Sequence, residues 1–369
     1  MYSLPKYVFI STVLLMLATS CSKEICSNSD DKSVIEGKIG TDLNELIINE
    51  EQVKFSGAVL VASEGAVLLN KSYAYNKTNS DCEVRHGDSY WIASLSKSFC
   101  AAAVLLLHER GEIDLQASIS SYLNGVPSDK MEITIHQLLS HSSGMGDSYG
   151  TDGISDQQEA LKALLETEMV SKPGDSYSYS NAGYQLLAIL IEVLSGTRYE
   201  NFITDEIITP LGLNNTGHTG DQQYGNVLSV TERGKGSKRR ASGNPQLWKS
   251  NYGYKGSTGI LSSVNDLLTW NQALHENSLL RPENSKLLFE AHLSKGDGIF
   301  YGYGWNVFDS DEGQVIVHSG DDDFIGHNAT LRFYPESNKL IVVLSDAGYY
   351  KGDPVARVMA KRIIPELFN

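Results

Sequence analysis

A chain of 369 residues with 41% hydrophobic, 9% aromatic and 20% charged residues has the composition of a folded protein and not of a disordered one. Its formal charge of −15 excludes nucleic acid as the expected partner, because neutralising phosphates needs a basic face. The histidines and cysteines show no paired metal-ligand spacing, so neither a metal nor another cofactor is expected.

The first element is a targeting segment, residues 1–20. Lys6 precedes the apolar run YVFISTVLLMLATS, which is short for a bilayer span and ends in small residues directly before Cys21. This pattern fits a bacterial lipoprotein signal, with cleavage before Cys21 and acylation of its thiol. Ordinary secretory cleavage, leaving Cys21 a plain thiol, is the other reading. Residues 21–40 are polar and read as a tether. A lipid on Cys21 would anchor the chain to a membrane in the cell envelope of a bacterium, in the periplasm or at the cell surface. Cys26, Cys82 and Cys100 remain; Cys100 reads as a small buried residue, and a Cys82–Cys100 pair is left open.

Residues 41–369 carry no repeat and read as one catalytic domain. TDLNELIINEEQ has helical periodicity behind a Thr/Asp cap. FSGAVLVASEGAVLLNKSYAY predicts two strands around a Ser-Glu-Gly turn. An apolar helix follows from about Ser94 to Glu109, stopped by Gly111. Residues of about 112–225 form a mainly helical lobe containing TIHQLLSHSSGM, DQQEALKALLETEM and NAGYQLLAILIEVLSG. The basic stretch RGKGSKRR at 233–240 reads as a solvated loop. GYGWNVF, GQVIVHSG, HNATLRFYP and KLIVVLSD then predict strands, and DPVARVMAKRIIPELF a closing amphipathic helix. The fold class is α+β: an antiparallel sheet built from N- and C-terminal strands, flanked by helices, with the helical lobe inserted.

Ser94-Leu95-Ser96-Lys97, at the mouth of the apolar helix, is the first chemical candidate. Ser-x-x-Lys alone is weak, since about one or two matches arise by chance in a chain this long. A second match, Ser29 to Lys32, lies in the tether, where nothing could desolvate or orient the pair. On a helix, Ser94 and Lys97 face the same way. The helix N-terminus and the apolar neighbours Ile92, Leu95 and Phe99 would both disfavour a protonated amine. Lys97 could then take the proton of Ser94. The competing reading makes Ser94 a helix cap and sends Lys97 outward.

Tyr-x-Asn occurs four times, and only Tyr179-Ser180-Asn181 sits in a Pro-Gly loop running into an apolar helix. The tyrosines of the others, Tyr199 among them, read as surface residues. A third element is His318-Ser319-Gly320, at the end of a β-branched strand, where glycine lets a ligand or backbone come close.

Together these blocks, from about Leu46 to Phe368, resemble the serine β-lactamase and penicillin-binding protein superfamily. Within it they are most similar to the β-lactamase-related branch of class C β-lactamases, D-Ala-D-Ala carboxypeptidases and esterase-like serine hydrolases. The resemblance implies Ser94 as an acylated nucleophile, Lys97 as its proton partner and Tyr179 as a second proton carrier. It also implies Asn181, His318, Ser319 and Gly320 as substrate contacts, with the N–H groups of Ser94 and Asp321 as the oxyanion hole. Where β-lactamases of this branch carry Lys-Thr-Gly, this chain has His318-Ser319-Gly320. A histidine is mostly neutral at neutral pH and gives no fixed anchor to a β-lactam carboxylate. The implied activity is therefore an extracytoplasmic serine hydrolase acting on a D-amino-acid peptide amide or an ester. A weak β-lactamase and a non-catalytic cell-wall sensor of the same fold are the alternatives.

Overall fold

In the computed structural model, residues 33–73, 87–219, 231–234, 237–240, 249–322 and 326–369 are described. The expected signal segment, Cys21, Cys26, Cys82, Tyr224 and the tether up to residue 32 lie outside the described residues. The last part of the expected tether is folded. A short strand β1 (Val34–Ile35) leads into helix α1 (Gly37–Ile48), one turn ahead of the predicted Thr/Asp cap. Glu36 N–H bonds Leu68 O, and a Cβ on Gly40 would stand 2.3 Å from that same oxygen. Docking on the next strand pair, not a local cap, starts this helix.

That pair is the predicted hairpin, β2 (Gly57–Ser63) and β3 (Ala66–Tyr73). β4 (Tyr90–Trp91) precedes a tight 3-10 turn, Ala93–Leu95, and helix α2 (Ser96–Glu109), ended by Gly111 at φ +73°. The lobe contains α3 (Ile135–Leu139), α4 (Gln157–Leu165), α5 (Asn181–Ser195), α6 (Tyr199–Ile203) and α7 (Thr209–Leu211). Their starts follow local chemistry. Thr134 and Gln137 form a reciprocal cap, and Asp156 and Ser180 accept from Glu159 N–H and Gly183 N–H. Gly196, in the left-handed region, closes α5. Next come β5 (Gly217–His218), β6 (Thr231–Gly234), β7 (Ser237–Arg240), β8 (Ile260–Ser262), α8 (Val264–His275) and α9 (Pro282–Phe289). Residues 233–234 and 237–240 of the basic stretch thus lie in the paired strands β6 and β7 and not in a loop.

The C-terminal strands are β9 (Leu293–Gly296), β10 (Ile299–Tyr301), β11 (Asn306–Ser310), β12 (Gly313–Asp321), β13 (Asn328–Tyr334) and β14 (Lys339–Ser345), before helix α10 (Val355–Phe368). β9 and β10 were not expected, because they are short and mostly exposed; the Gly296-Asp297-Gly298 turn between them is their one sequence signal. All neighbours in the nine-stranded sheet are antiparallel, in the order β1-β3-β2-β14-β13-β12-β11-β10-β9. The two ends of the chain meet where β2 pairs β14, from Gly57 opposite Ser345 to Ser63 opposite Lys339.

Both faces of the sheet are covered, which is why its central strands read as unbroken apolar runs. Val59, Val61, Ile341 and Val343 pack under α1 and α10. Leu60, Val342 and Leu344 face the other way, into the core that holds α2, α5 and α8. Helix α2 is buried on every side from Ser96 to Leu107, and its polar residues find partners inside. Ser96 Oγ accepts from Ile260 N–H; Ser98 Oγ donates to Leu95 O and accepts from Trp270 Nε1. Phe99 stacks on Trp270 with ring centroids 4.0 Å apart. Tyr199 is also fully buried, against expectation, because α6 packs under α2 and α5. Cys100 is a free buried thiol.

Phe99→Ala should lower stability by about 3–5 kcal/mol, the cost of an aromatic cavity in a closed core. Denaturant unfolding would measure it, and a loss below about 1 kcal/mol would show that α2 is not anchored by this stack.

Candidate active site

The turn that carries Ser94 is held in place by strand contacts. Ile92 N–H bonds Ile260 O at 3.0 Å, and β4 and β5 both pair with β8. Ala93 adopts φ +45°, a left-handed conformation that costs a non-glycine residue of order 1 kcal/mol or more. Ser94 caps nothing: helix α2 begins without a side-chain cap. Its hydroxyl meets two other groups instead. Lys97 Nζ lies 3.2 Å from Ser94 Oγ, and the Tyr179 hydroxyl donates to that oxygen at 2.8 Å. The outward-pointing lysine is therefore excluded.

Lys97 is fully buried and also donates to Asn181 Oδ1 at 2.6 Å and to Ser257 O at 3.0 Å. Burial lowers its pKa to about 7, against an opposing pull from the charge of Asp147. A neutral amine has two hydrogens. The two carbonyls take both, and the lone pair is left facing Ser94. Burial pushes Tyr179 the opposite way, well above the ordinary tyrosine range, so it stays a phenol and a proton donor.

Tyr179 sits in a braced loop. His141, at φ +58°, accepts the Ser180 N–H at Nδ1 (3.1 Å), and its ring lies 4.4 Å from that of Tyr179. Asn181 opens α5. Its backbone N–H and Nδ2 both donate to Asp147 Oδ1, and Nδ2 also reaches the Tyr149 hydroxyl at 2.9 Å.

The β12 edge forms the opposite wall. A Cβ on Gly320 would stand 2.0 Å from Ile92 O and 2.7 Å from Ser94 N, so only glycine lets this strand meet the Ser94 turn. The next residue along β12 is Asp321, whose side chain accepts from Tyr349 at 3.1 Å. His318 is buried; its Nδ1 bonds Ser319 O at 2.8 Å and its Nε2 meets the Tyr301 hydroxyl at 3.1 Å. Burial drops its pKa to about 3, so it is a neutral ring across the working pH range. The Ser319 hydroxyl meets that of Thr330 at 2.9 Å. A cavity of about 620 Å³ lies against Ser94, Tyr179, Asn181, His318, Ser319 and Asp321, and Lys295, Arg332, Arg357 and Lys361 also line it.

The structure thus brings Ser94, Lys97, Tyr179, Asn181 and the His318–Asp321 strand end to one place. Sequence reasoning missed Ser257, Asp147, Tyr149 and His141. Ser257 acts through its backbone carbonyl, which no side-chain pattern reveals. His141 and Asp147 stand in and just after the SHSSGM block that the resemblance had already singled out. Among the described residues, no group of three or more His, Cys, Asp or Glu could hold a metal ion.

The sequence matches the Beta-lactamase family over residues 46–364. It is 28% identical over 321 residues to penicillin-binding protein 4* of Bacillus subtilis (strain 168), covering 80% of this chain and 69% of that one. It is 27% identical over 308 residues to protein flp of Staphylococcus aureus (strain MRSA252), covering 78% and 59%. The chain thus spans between about three-fifths and seven-tenths of these relatives' lengths. A D-amino acid amidase from Ochrobactrum anthropi SV3, solved with D-phenylalanine, superposes with a TM-score of 0.72 over 90% of this chain and 99% of that one. At 18% identity, that likeness is one of fold.

If Lys97 must lose its proton before Ser94 reacts, kcat/KM on an activated ester rises with pH through a midpoint near 7. Asp147 raises the proton affinity of Lys97, so Asp147→Asn should move that midpoint to lower pH. Lys97→Arg, which stays protonated, should cost at least about a hundredfold at every pH. A rate profile that Asp147→Asn leaves in place would contradict the assignment.

Proposed function

The chain belongs to the Beta-lactamase family, as a hydrolase, and from that premise we propose that it cleaves its substrate through an acyl-enzyme on Ser94. The observation that carries this is the double contact of the Ser94 hydroxyl, with the Lys97 amine at 3.2 Å and the Tyr179 phenol at 2.8 Å.

The steps follow from the proton inventory. Neutral Lys97 takes the Ser94 proton as Oγ bonds to the substrate carbonyl carbon. The N–H groups of Ser94 and Asp321 hold the resulting oxyanion. Tyr179 gives its proton to the departing amine or alcohol as the C–N or C–O bond breaks, and Lys97 restores that proton. Water then adds to the acyl carbon with the same pair removing its proton, and Ser94 leaves with a proton returned. Asn181 and Ser257 hold the Lys97 amine against Ser94, so that its lone pair faces Oγ whenever the amine is neutral.

The leading substrate is a peptide amide containing a D-amino acid, with a small ester second. The cavity is lined by Lys295, Arg332, Arg357 and Lys361 together with Asp147 and Asp321, and Arg357 stands 3.8 Å from Asp321, so the lining carries both signs of charge. The neutral His318 ring favours a peptide or ester over a β-lactam, whose carboxylate would find no cation on that strand. For location, the sequence of residues 1–20 and Cys21 supports a lipid-anchored position in the bacterial cell envelope. Cys21→Ala should then release it from the membrane fraction.

A fluorophosphonate or labelled penicillin should modify the wild-type chain on Ser94, as read by peptide mass spectrometry, and Ser94→Ala should take up neither. Rates on a D-Ala-D-Ala peptide, p-nitrophenyl acetate and nitrocefin, measured side by side, should rank the nitrocefin rate last. A wild-type chain that neither labels nor turns over any of the three would refute the proposal.

A further inference from the structure

The Ser257 carbonyl that orients Lys97 sits in a turn tied to the helices by buried ions. Lys255, two residues earlier, puts its Nζ 2.6 Å from Glu192 Oε1 on α5 and 3.2 Å from Glu200 Oε2 on α6. All three residues are buried. The same Nζ lies 3.9 Å from the centre of the Tyr252 ring. Glu192 is fixed by three further donors: the Tyr199 N–H at 2.9 Å, Gln157 Nε2 at 2.7 Å and the Tyr252 hydroxyl at 2.6 Å. Arg198, half-exposed, meets Glu200 Oε1 at 3.0 Å.

The contacts of the turn converge on Ser257. Gln185 Nε2 donates to Gly253 O at 3.0 Å, and Ser257 Oγ donates to the same oxygen at 3.1 Å. Gly256, at φ +72°, lies so close to α5 that a Cβ there would stand 2.2 Å from Tyr184 O. The Ser257 carbonyl is thereby delivered to Lys97 Nζ at 3.0 Å. A shift of about half an ångström would end that hydrogen bond. A neutral amine with one acceptor in place of two is free to turn its lone pair away from Ser94. Buried ions are a costly way to secure a loop, since apolar side chains of similar volume often stabilise as well or better. What the ions add here is direction, because Lys255 must meet two carboxylates at once.

We infer that Lys255 is a positioning residue for the reaction: clamped by Glu192 and Glu200, it holds the Ser257 carbonyl on Lys97 and so aims the neutral amine at Ser94. Lys255 is not among the residues lining the cavity beside Ser94, so it acts through the turn and not on the substrate. This rests on the acyl-enzyme reading of Ser94.

Labelling of the full chain by a fluorophosphonate tests it, because the final amplitude counts folded sites and the rate constant reports the reactivity of each. Glu200→Gln, which keeps Lys255 on Glu192, is the reference. Adding Lys255→Met removes the buried cation after one buried acid has gone, and Glu192 keeps its three other donors. This double variant should label with a rate constant about tenfold below the reference, the upper worth of one neutral hydrogen bond. Its KM for p-nitrophenyl acetate should stay within about twofold while kcat falls, the mark of a group that does not bind substrate. Lys255→Arg keeps both acids paired, and with them the fold, but its longer planar fork moves the turn, so it should also label more slowly than wild type. A rate constant unchanged in each variant that labels overturns the inference, whatever the amplitude, and leaves the cluster a purely structural part. If the wild-type chain takes no label, or Ser94→Ala labels as wild type does, it is the acyl-enzyme reading that fails.

Discussion

A lysine amine buried away from solvent, and bonded to no carboxylate among the described residues, is the constraint on which the site depends. Burying an ammonium in an apolar helix start is costly, and the protein meets that cost by favouring the neutral form. For Lys97 the drop from 10.5 to about 7 corresponds to on the order of 5 kcal/mol in favour of the uncharged amine. Once the amine is neutral, its two hydrogens need carbonyl acceptors and its lone pair needs a proton donor. Asn181 and Ser257 meet the first need and Ser94 the second. In the proposed reaction Ser94 is thus activated by the same burial that makes α2 a core helix.

The remaining structure keeps these partners in register. Ser257 belongs to a loop held by a buried ion cluster two residues away. Lys255 lies 2.6 Å from Glu192 and 3.2 Å from Glu200, all three almost inaccessible to solvent. Gly256, at φ +72°, lets that loop press on Tyr184 O of α5. From the other side, Gly320 brings β12 against the backbone of Ser94, and the strained Ala93 turn is held between β4 and α2. These contacts fix the backbone on both sides of the Ser94–Lys97 pair. The cavity beside Ser94 is also lined by Tyr149 and by Lys295, Arg332, Arg357 and Lys361.

Much of this was legible in the sequence, for identifiable reasons. The β2–β3 hairpin, α2, α5 and the last three sheet strands are either buried on both faces or bounded by turn and cap residues, so their runs are long and their ends marked. Ser94, Lys97 and Tyr179 stood out because three weak patterns came in one order along the chain. The start of α1 was not legible, because Gly40 docks on β3 through a tertiary contact. Strands β9 and β10 were missed because their side chains are mostly exposed. The setting of Asn181 could not be read either. Its amide is committed by Asp147, Tyr149 and Lys97, and none of these contacts leaves a trace in the Tyr-x-Asn pattern itself.

The central claim is that Lys97 loses its proton near neutral pH, far below an ordinary lysine, while it faces Ser94. Titration of the Lys97 ¹³Cε resonance, assigned by its loss in Lys97→Met, tests that without reference to any substrate. The account predicts a midpoint near pH 7, well separated from the exposed lysines. A midpoint near the ordinary lysine value of about 10.4 would contradict it.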